Sequence, residues 1–249
     1  MRGKSVLFAS AVMVAACCAA PVLAAEPFAS SEEFGSWMTQ YYLKPEPAKV
    51  APALAYFCDT LGGVKMNSRM AVAAFFAGVF KKDPKPMQEA YRQATASGSE
   101  EMKIFLSNAI WLTDTAQAKG LLQTAAREWG SATLREILEK EIAAPPNDLL
   151  TAALSPPILD MMWATFSATG DPAPVQRVIQ AAVTREKAQG GQIATAEAAI
   201  WSLGSNVKQH EKVRAICQEE FAKSGGSARD ILGKILDGTW ADQAGSSTS

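Results

Sequence analysis

The chain reads as an all-α protein, a succession of αα-hairpins totalling about a dozen helices. Three observations predict this. Alanine outnumbers valine plus isoleucine almost two to one after residue 24, which favours helix and leaves little material for strands. No segment sustains an apolar/polar alternation, whereas stripes at i, i+3, i+4 and i+7 recur throughout. Proline and glycine punctuate those stripes at short intervals, as at Pro45-Glu46-Pro47, Gly62-Gly63, Pro145-Pro146, Pro156-Pro157, Gly170, Gly190-Gly191, Gly204 and Gly225-Gly226.

The first element opens on Ser30-Ser31-Glu32-Glu33, a capping box with Ser30 as N-cap. Phe34, Trp37, Met38, Tyr41 and Tyr42 then fall on one helical face, and Pro45 and Pro47 end it. A second helix carries Leu54, Cys58 and Leu61, is expected to begin close to Pro52, and stops at Gly62-Gly63. Asn67 opens a third, very apolar helix through Phe75, Phe76 and Phe80. Ser99 caps the helix of Phe105, Ile110 and Leu112, with Glu100 and Glu101 at its positive end. Leu121, Leu122, Ala125 and Trp129 form the next stripe, closed by Gly130. Helices over 134–142, 158–166, 175–183, 194–203, 213–221 and 231–236 follow. Residues 241–249 have nothing to bury and are expected to form a disordered tail.

The array repeats itself. Asp83-Pro84-Lys85-Pro86-Met87-Gln88 returns 88 residues later as Asp171-Pro172-Ala173-Pro174-Val175-Gln176, and Ala109-Ile110-Trp111 returns 90 residues later as Ala199-Ile200-Trp201. Lys44-Pro45-Glu46-Pro47 is a fainter echo. Asp is a good N-cap and Pro suits the first helical position, so Asp-Pro restarts the chain after a turn. Two matches at nearly equal offset predict an internal duplication, with a period about twice the ~44 residues of two-helix units. Over residues 30–236 the architecture resembles HEAT-like α-solenoids. That resemblance implies a superhelix of helix pairs whose curved surface binds partners.

The N-terminus carries a different signal. Arg2 and Lys4 precede an uncharged stretch from Ser5 to Ala25, and Val22-Leu23-Ala24 offers small or modest residues before Ala25-Glu26. That pattern predicts a signal peptide over 1–24, a single helical domain over 25–240, and a periplasmic or secreted protein. A retained membrane anchor is one alternative. Another is a lipoprotein, since Val14-Ala15-Ala16-Cys17 resembles a lipobox that would anchor the chain at Cys17.

The formal net charge of −1 becomes −3 once Arg2 and Lys4 are removed, and no basic stripe appears, which argues against nucleic acid. Cys58 and Cys217 then remain, near opposite ends of the chain. Both fall on apolar stripes, so two buried thiols are expected in preference to a disulfide, with a bridge as the alternative.

Chemistry is sparse. His210 is the one histidine, in a polar run that reads as a solvated helix start, so no multi-histidine metal site is available. There is no Gly-x-Ser-x-Gly elbow, phosphate-binding Gly-Lys loop, Cys-x-x-Cys or EF-hand loop, and no cofactor is expected. Met66 with Met70, and Met161-Met162, are expected to fill core. Carboxylate chemistry needs only one or two acids. Asp160 lies between Leu159 and Met161, and Glu197 among alanines, four residues from Trp201 and hence on its face. An acid beside an indole suits sugar; an acid on the watered side of an amphipathic helix is the plainer alternative. Trp111 and Trp201 occupy repeat-equivalent places, in core or lining a groove. The groove candidates are therefore Trp111, Asp160, Glu197 and Trp201. The leading expectation is a non-enzymatic binding or scaffold protein of the cell envelope with a protein or peptide partner. The alternative is an envelope enzyme acting on cell-wall glycan through Asp160 or Glu197.

Overall fold

The computed structural model describes residues 27–61 and 66–240. Every regular element among them is helical: α1 (Ser31–Gln40), α2 (Pro47–Leu61), α3 (Met66–Lys82), α4 (Pro84–Ser97), α5 (Glu100–Thr113), α6 (Ala116–Glu128), α7 (Ala132–Ala143), α8 (Pro156–Thr169), α9 (Pro172–Val183), α10 (Gly191–Gln209), α11 (Glu211–Lys223) and α12 (Gly226–Asp237). A short 3-10 turn, Arg185–Lys187, precedes α10. The expected secretion signal, the box ending at Cys17, the Gly62-Gly63 stop and the segment beyond Trp240 lie outside the described residues.

The helix starts follow from their caps. The Glu33 amide donates to Ser30 Oγ at 3.2 Å while the Glu33 carboxylate accepts from the Ala29 amide at 2.7 Å. Phe28 meets Phe34 edge-on, ring centres 5.3 Å apart, and so fixes how the chain enters α1. Ser99, Thr115 and Ser131 cap α5, α6 and α7 through their hydroxyls. Asp83 accepts from the Lys85 amide at 3.0 Å, and Asp171 accepts from the Ala173 amide at 3.0 Å. Pro84 and Pro172 follow in the first helical position of α4 and α9. One device thus starts both helices, and alanine at either aspartate should cost a similar 0.5–2 kcal/mol, roughly, in urea unfolding. A loss at one site with none at the other would show that the two starts are not equivalent.

Two boundaries differ from expectation. Helix α2 begins at Pro47, a turn and a half before Pro52, which sits inside it. An internal proline costs about 3 kcal/mol, here offset because the first turns bury Val50, Ala51, Ala53 and Leu54. Gly204 does not end α10, which runs on to Gln209. A Cβ there would lie 2.2 Å from the Trp240 indole, so this glycine admits a ring rather than stopping a helix.

The helix order duplicates. The five helices α3–α7 match α8–α12, and α1 and α2 precede them. Met87, Ala90 and Ala94 on α4 are fully buried, as are their counterparts Val175, Val178 and Ala182 on α9. Within each set, helices pack on their neighbours and mostly on their next-but-one neighbours, the contact pattern of a helical-repeat array. Where α4 and α6 lie further apart, Tyr91 and Trp129 bridge them, stacked at 5.2 Å.

Two apolar cores result. One spans α1–α7 around Phe57, Phe75, Phe76 and Phe105; the other spans α8–α12 around Phe166, Val178, Leu203 and Leu232. The halves meet at α3 against α8, the most extensive helix–helix contact among the described residues. Gly78 permits it: a Cβ there would stand 2.8 Å from Ala168 Cβ. Tyr42 ties the end of α1 to the same seam, donating its amide to the Ser167 carbonyl at 2.9 Å.

Candidate functional site

Beside the α3–α8 seam the structure opens into a cleft of about 550 Å³. Its floor is small and apolar, with Ala74, Ala77 and Met162, because close helix packing had already selected small residues on α3. Its cover is the connector from α7 to α8, where Leu149 and the exposed Leu150 line the opening. Asp114, Asp148 and Asp171 line it with one cation, Lys81. Asp171 is held as the cap of α9, and Asp148 accepts from the Leu150 amide at 3.0 Å. Asp114 ends α5 in the left-handed region at φ 49°, a conformation aspartate tolerates. Among the described residues none of the three carboxylates forms an ion pair.

A second cavity of about 230 Å³ adjoins the first, sharing Asp114 and Pro146 with it. Ile110, Trp111, Leu122 and Ile142 wall it, and Glu141 and Lys119 also line it. Glu141 lies on the stripe of Leu134 and Leu138, seven and three residues earlier, so α7 turns it toward the core. One carboxylate oxygen accepts from Ser107 Oγ at 3.3 Å; the other is buried with no hydrogen-bond partner. Burial pushes the carboxyl from 4.5 up to about 7, against a smaller opposing effect of the Ser107 hydroxyl.

This shift has a testable consequence. A carboxyl whose folded pKa is raised favours the fold fully below about 4.5, and that advantage is lost as pH rises through about 7. Glu141→Gln should therefore stabilise the protein by about 2–3 kcal/mol at pH 8 and change little at pH 4.5, read from urea midpoints. A difference independent of pH would mean that the carboxyl is not desolvated.

The residues singled out in the sequence are not gathered into one site. Trp111 is half-buried against the α5–α7 core and donates its indole N–H to the Ala144 carbonyl at 2.8 Å. Its repeat partner Trp201 is 64 % exposed, so of the two readings the core one does not apply to it. The reason is local: the connector after α7 runs over Trp111, whereas the chain after α12 lays Trp240 on Gly204 and leaves Trp201 outside. Glu197 does share the exposed face of α10 with Trp201, and its carboxylate accepts from Arg185 at 2.7 Å. Asp160 stands exposed on α8 without an ion pair, its carboxyl raised by partial burial. No hydrogen bond or ion pair joins Asp160 to Glu197 among the described residues.

His210 is a correction. It is not part of a solvated helix start but is buried between α10 and α11, with Nδ1 3.1 Å from the Tyr42 hydroxyl and its ring edge-on to Phe166. Burial pulls its pKa below 6.5 and favours the neutral ring. The tertiary fold decided this, by bringing α1 and α8 onto a polar stretch. Met66 is a second correction: it is 70 % exposed at the start of α3, while Met161 and Met162 are buried as core. Cys58 and Cys217 are buried free thiols in different cores, each pushed up to about 12 by burial.

Glu141 was missed, although its signal was present. It stands at i+7 from Leu134 and i+3 from Leu138, but the flanking Glu139 and Lys140 disguise it as part of a charged face. Asp114 and Asp148 carry no periodic signal, because turn residues are placed only by tertiary structure.

Among the described residues no group of three His, Cys, Asp or Glu is placed to hold a metal ion, and no helix is long and apolar enough to cross a membrane. No protein-family model, curated protein or solved structure matches the chain. The fold and its cleft define an all-α helical-repeat protein, with twelve helices among the described residues gathered around two apolar cores.

Proposed function

We propose that this chain is an exported protein of the bacterial cell envelope that binds a protein or peptide partner in the cleft beside the α3–α8 seam. The observation that carries the reading is the composition of that cleft. It offers about 550 Å³ of largely apolar space within the usual range of binding sites, lined by three carboxylates against the one cation Lys81, with no ion pair to any of the three among the described residues. Such a site suits an apolar side chain flanked by basic residues, because a cationic partner complements the excess of carboxylates at Asp114, Asp148 and Asp171 over the single cation Lys81. The location supports the same reading, since ligand sites collect where two structural units meet. Export rests on Arg2, Lys4 and the Val22-Leu23-Ala24 site, and intact mass of the exported protein should show a chain starting at Ala25.

The test is site-specific photocrosslinking in living cells. A benzophenone side chain at Leu150 should capture a partner, and one at the exposed Leu43 should not. Capture at Leu150 should weaken with Asp114→Asn or in high salt. Equal capture at both positions, or none at Leu150, would overturn the assignment.

A further inference from the structure

The connector from α7 to α8, residues 144–155, is the longest break between helices among the described residues, and the longest loops of compact domains carry function more often than short ones. Its ends are fixed. Trp111 donates its indole N–H to the Ala144 carbonyl at 2.8 Å, and the Arg177 guanidinium donates to the Ala152 carbonyl at 3.3 Å. Its middle is not. The Leu150 amide donates to Asp148 Oδ1 at 3.0 Å, and the Thr151 and Ala152 amides donate to the Asp148 carbonyl at 3.1 and 2.9 Å. Every hydrogen bond within 147–151 returns to Asp148, and none reaches a helix among the described residues. Asn147, Asp148, Leu150 and Thr151 are exposed.

Such a stretch fits a protease. An endopeptidase needs several residues of accessible, extended chain, and one small surface turn opens at little cost. The Pro145-Pro146 and Pro156-Pro157 pairs close the window on both sides, since proline lacks the backbone N–H that a protease binds. Between them Leu149 and Leu150 supply the apolar side chains that many endopeptidases require beside the cut bond. Almost all of one apolar core precedes the connector, and almost all of the other follows it. The two remain joined elsewhere, through α3 on α8 and through the Tyr42 amide on the Ser167 carbonyl.

We propose that this connector is a processing site, at which an endopeptidase accepting leucine cuts the folded chain on the amino side of Leu149 or Leu150 and so uncovers the cleft. Water is the only other reactant: its hydroxyl completes the new carboxylate, and the released nitrogen takes up the proton. Pro146, Asn147, Asp148, Leu149 and Leu150 all line the cleft, so the cut severs its cover. The anchors at Ala144 and Ala152 then hold two short stubs, and the halves stay together across the α3–α8 seam. Control of partner access rests on the reading of the cleft given above, whereas the cut and the uncovering do not.

Brief digestion of the native protein with thermolysin, which cuts on the amino side of leucine, tests this. Mass spectrometry should find a new N-terminus at Leu149 or Leu150. The two fragments should elute together in gel filtration and part only in urea. Thr165→Cys places a thiol on the half-buried α8 wall of the cleft, while the native Cys58 and Cys217 are buried. A polyethylene-glycol maleimide should label that thiol at least about fivefold faster after the cut. The same digestion of a chain that also carries Leu149→Gly and Leu150→Gly should leave the labelling rate unchanged. No terminus at either leucine, fragments that separate without denaturant, labelling unaffected by the cut, or equal acceleration in the glycine variant overturns the proposal. Faster labelling with no photocapture from the cleft in cells upholds the processing site and removes the partner reading alone.

Discussion

Gly78→Leu is expected to lower stability by about 3 kcal/mol or more, since overpacking a close helix contact forces backbone movement. The physical case is specific to this seam. A bare Cβ at position 78 would already stand 2.8 Å from Ala168 Cβ and 3.3 Å from a Thr169 methyl. Ala168 has no rotamer to swing away, so α3 and α8 must separate. Those two helices form the main junction between the halves, and separation exposes the floor of the cleft as well. Gly78→Ala tests the same point more gently, because the gain of about 1 kcal/mol in helix propensity opposes the clash. Adding Ala168→Gly should recover part of the loss in Gly78→Ala. Urea unfolding followed by circular dichroism gives the result. An unchanged midpoint for Gly78→Leu would show that the halves do not depend on this contact.

Trp129→Ala should cost about 3–5 kcal/mol, and Trp201→Ala should fall within about 0.5 kcal/mol of zero. Trp129 is 2 % exposed, stacks on Tyr91, and donates its indole N–H to Thr95 Oγ1 at 3.0 Å. Its removal leaves a cavity between α4 and α6, while the exposed Thr95 hydroxyl turns to water. Tyr91 is bound in the same cluster, donating to the Glu128 carboxylate at 2.6 Å, which raises the Tyr91 pKa along with burial. Trp201, 64 % exposed on α10, contributes almost no buried area. Trp111 should lie between the two. Its ring is only half-covered, but its N–H anchors the Ala144 carbonyl where the connector leaves α7. Matched losses at Trp111 and Trp201 would contradict this ordering, and tryptophan emission offers an independent check, since solvent-exposed Trp201 emits to the red.

Local signals decided most of what was legible in the sequence. Helix caps act within four residues, so Ser30, Asp83, Ser99 and Asp171 announce their helices without help from the fold. Apolar periodicity is equally local, which is why the all-α class and helices such as that over 175–183 follow from composition and spacing. Repetition of Asp-Pro likewise predicted equivalent helix starts, and Asp83 and Asp171 cap α4 and α9 in the same way. Tertiary structure decided everything that depends on which surfaces meet. Pro52 stays inside α2 because burial outweighs its propensity, and Gly204 serves an indole thirty-six residues away instead of a helix end. His210 is buried because Tyr42, after α1, and Phe166 of α8 cover a run that looks solvated, and Trp201 is exposed although its sequence position fits core as well as groove. The cleft belongs to the same class. Its carboxylates come from turns and caps in Asp114, Asp148 and Asp171, far apart in the chain, and only the packing of α3 on α8 draws them around one opening. A side chain's secondary structure depends on its neighbours in sequence, whereas its burial depends on distant ones.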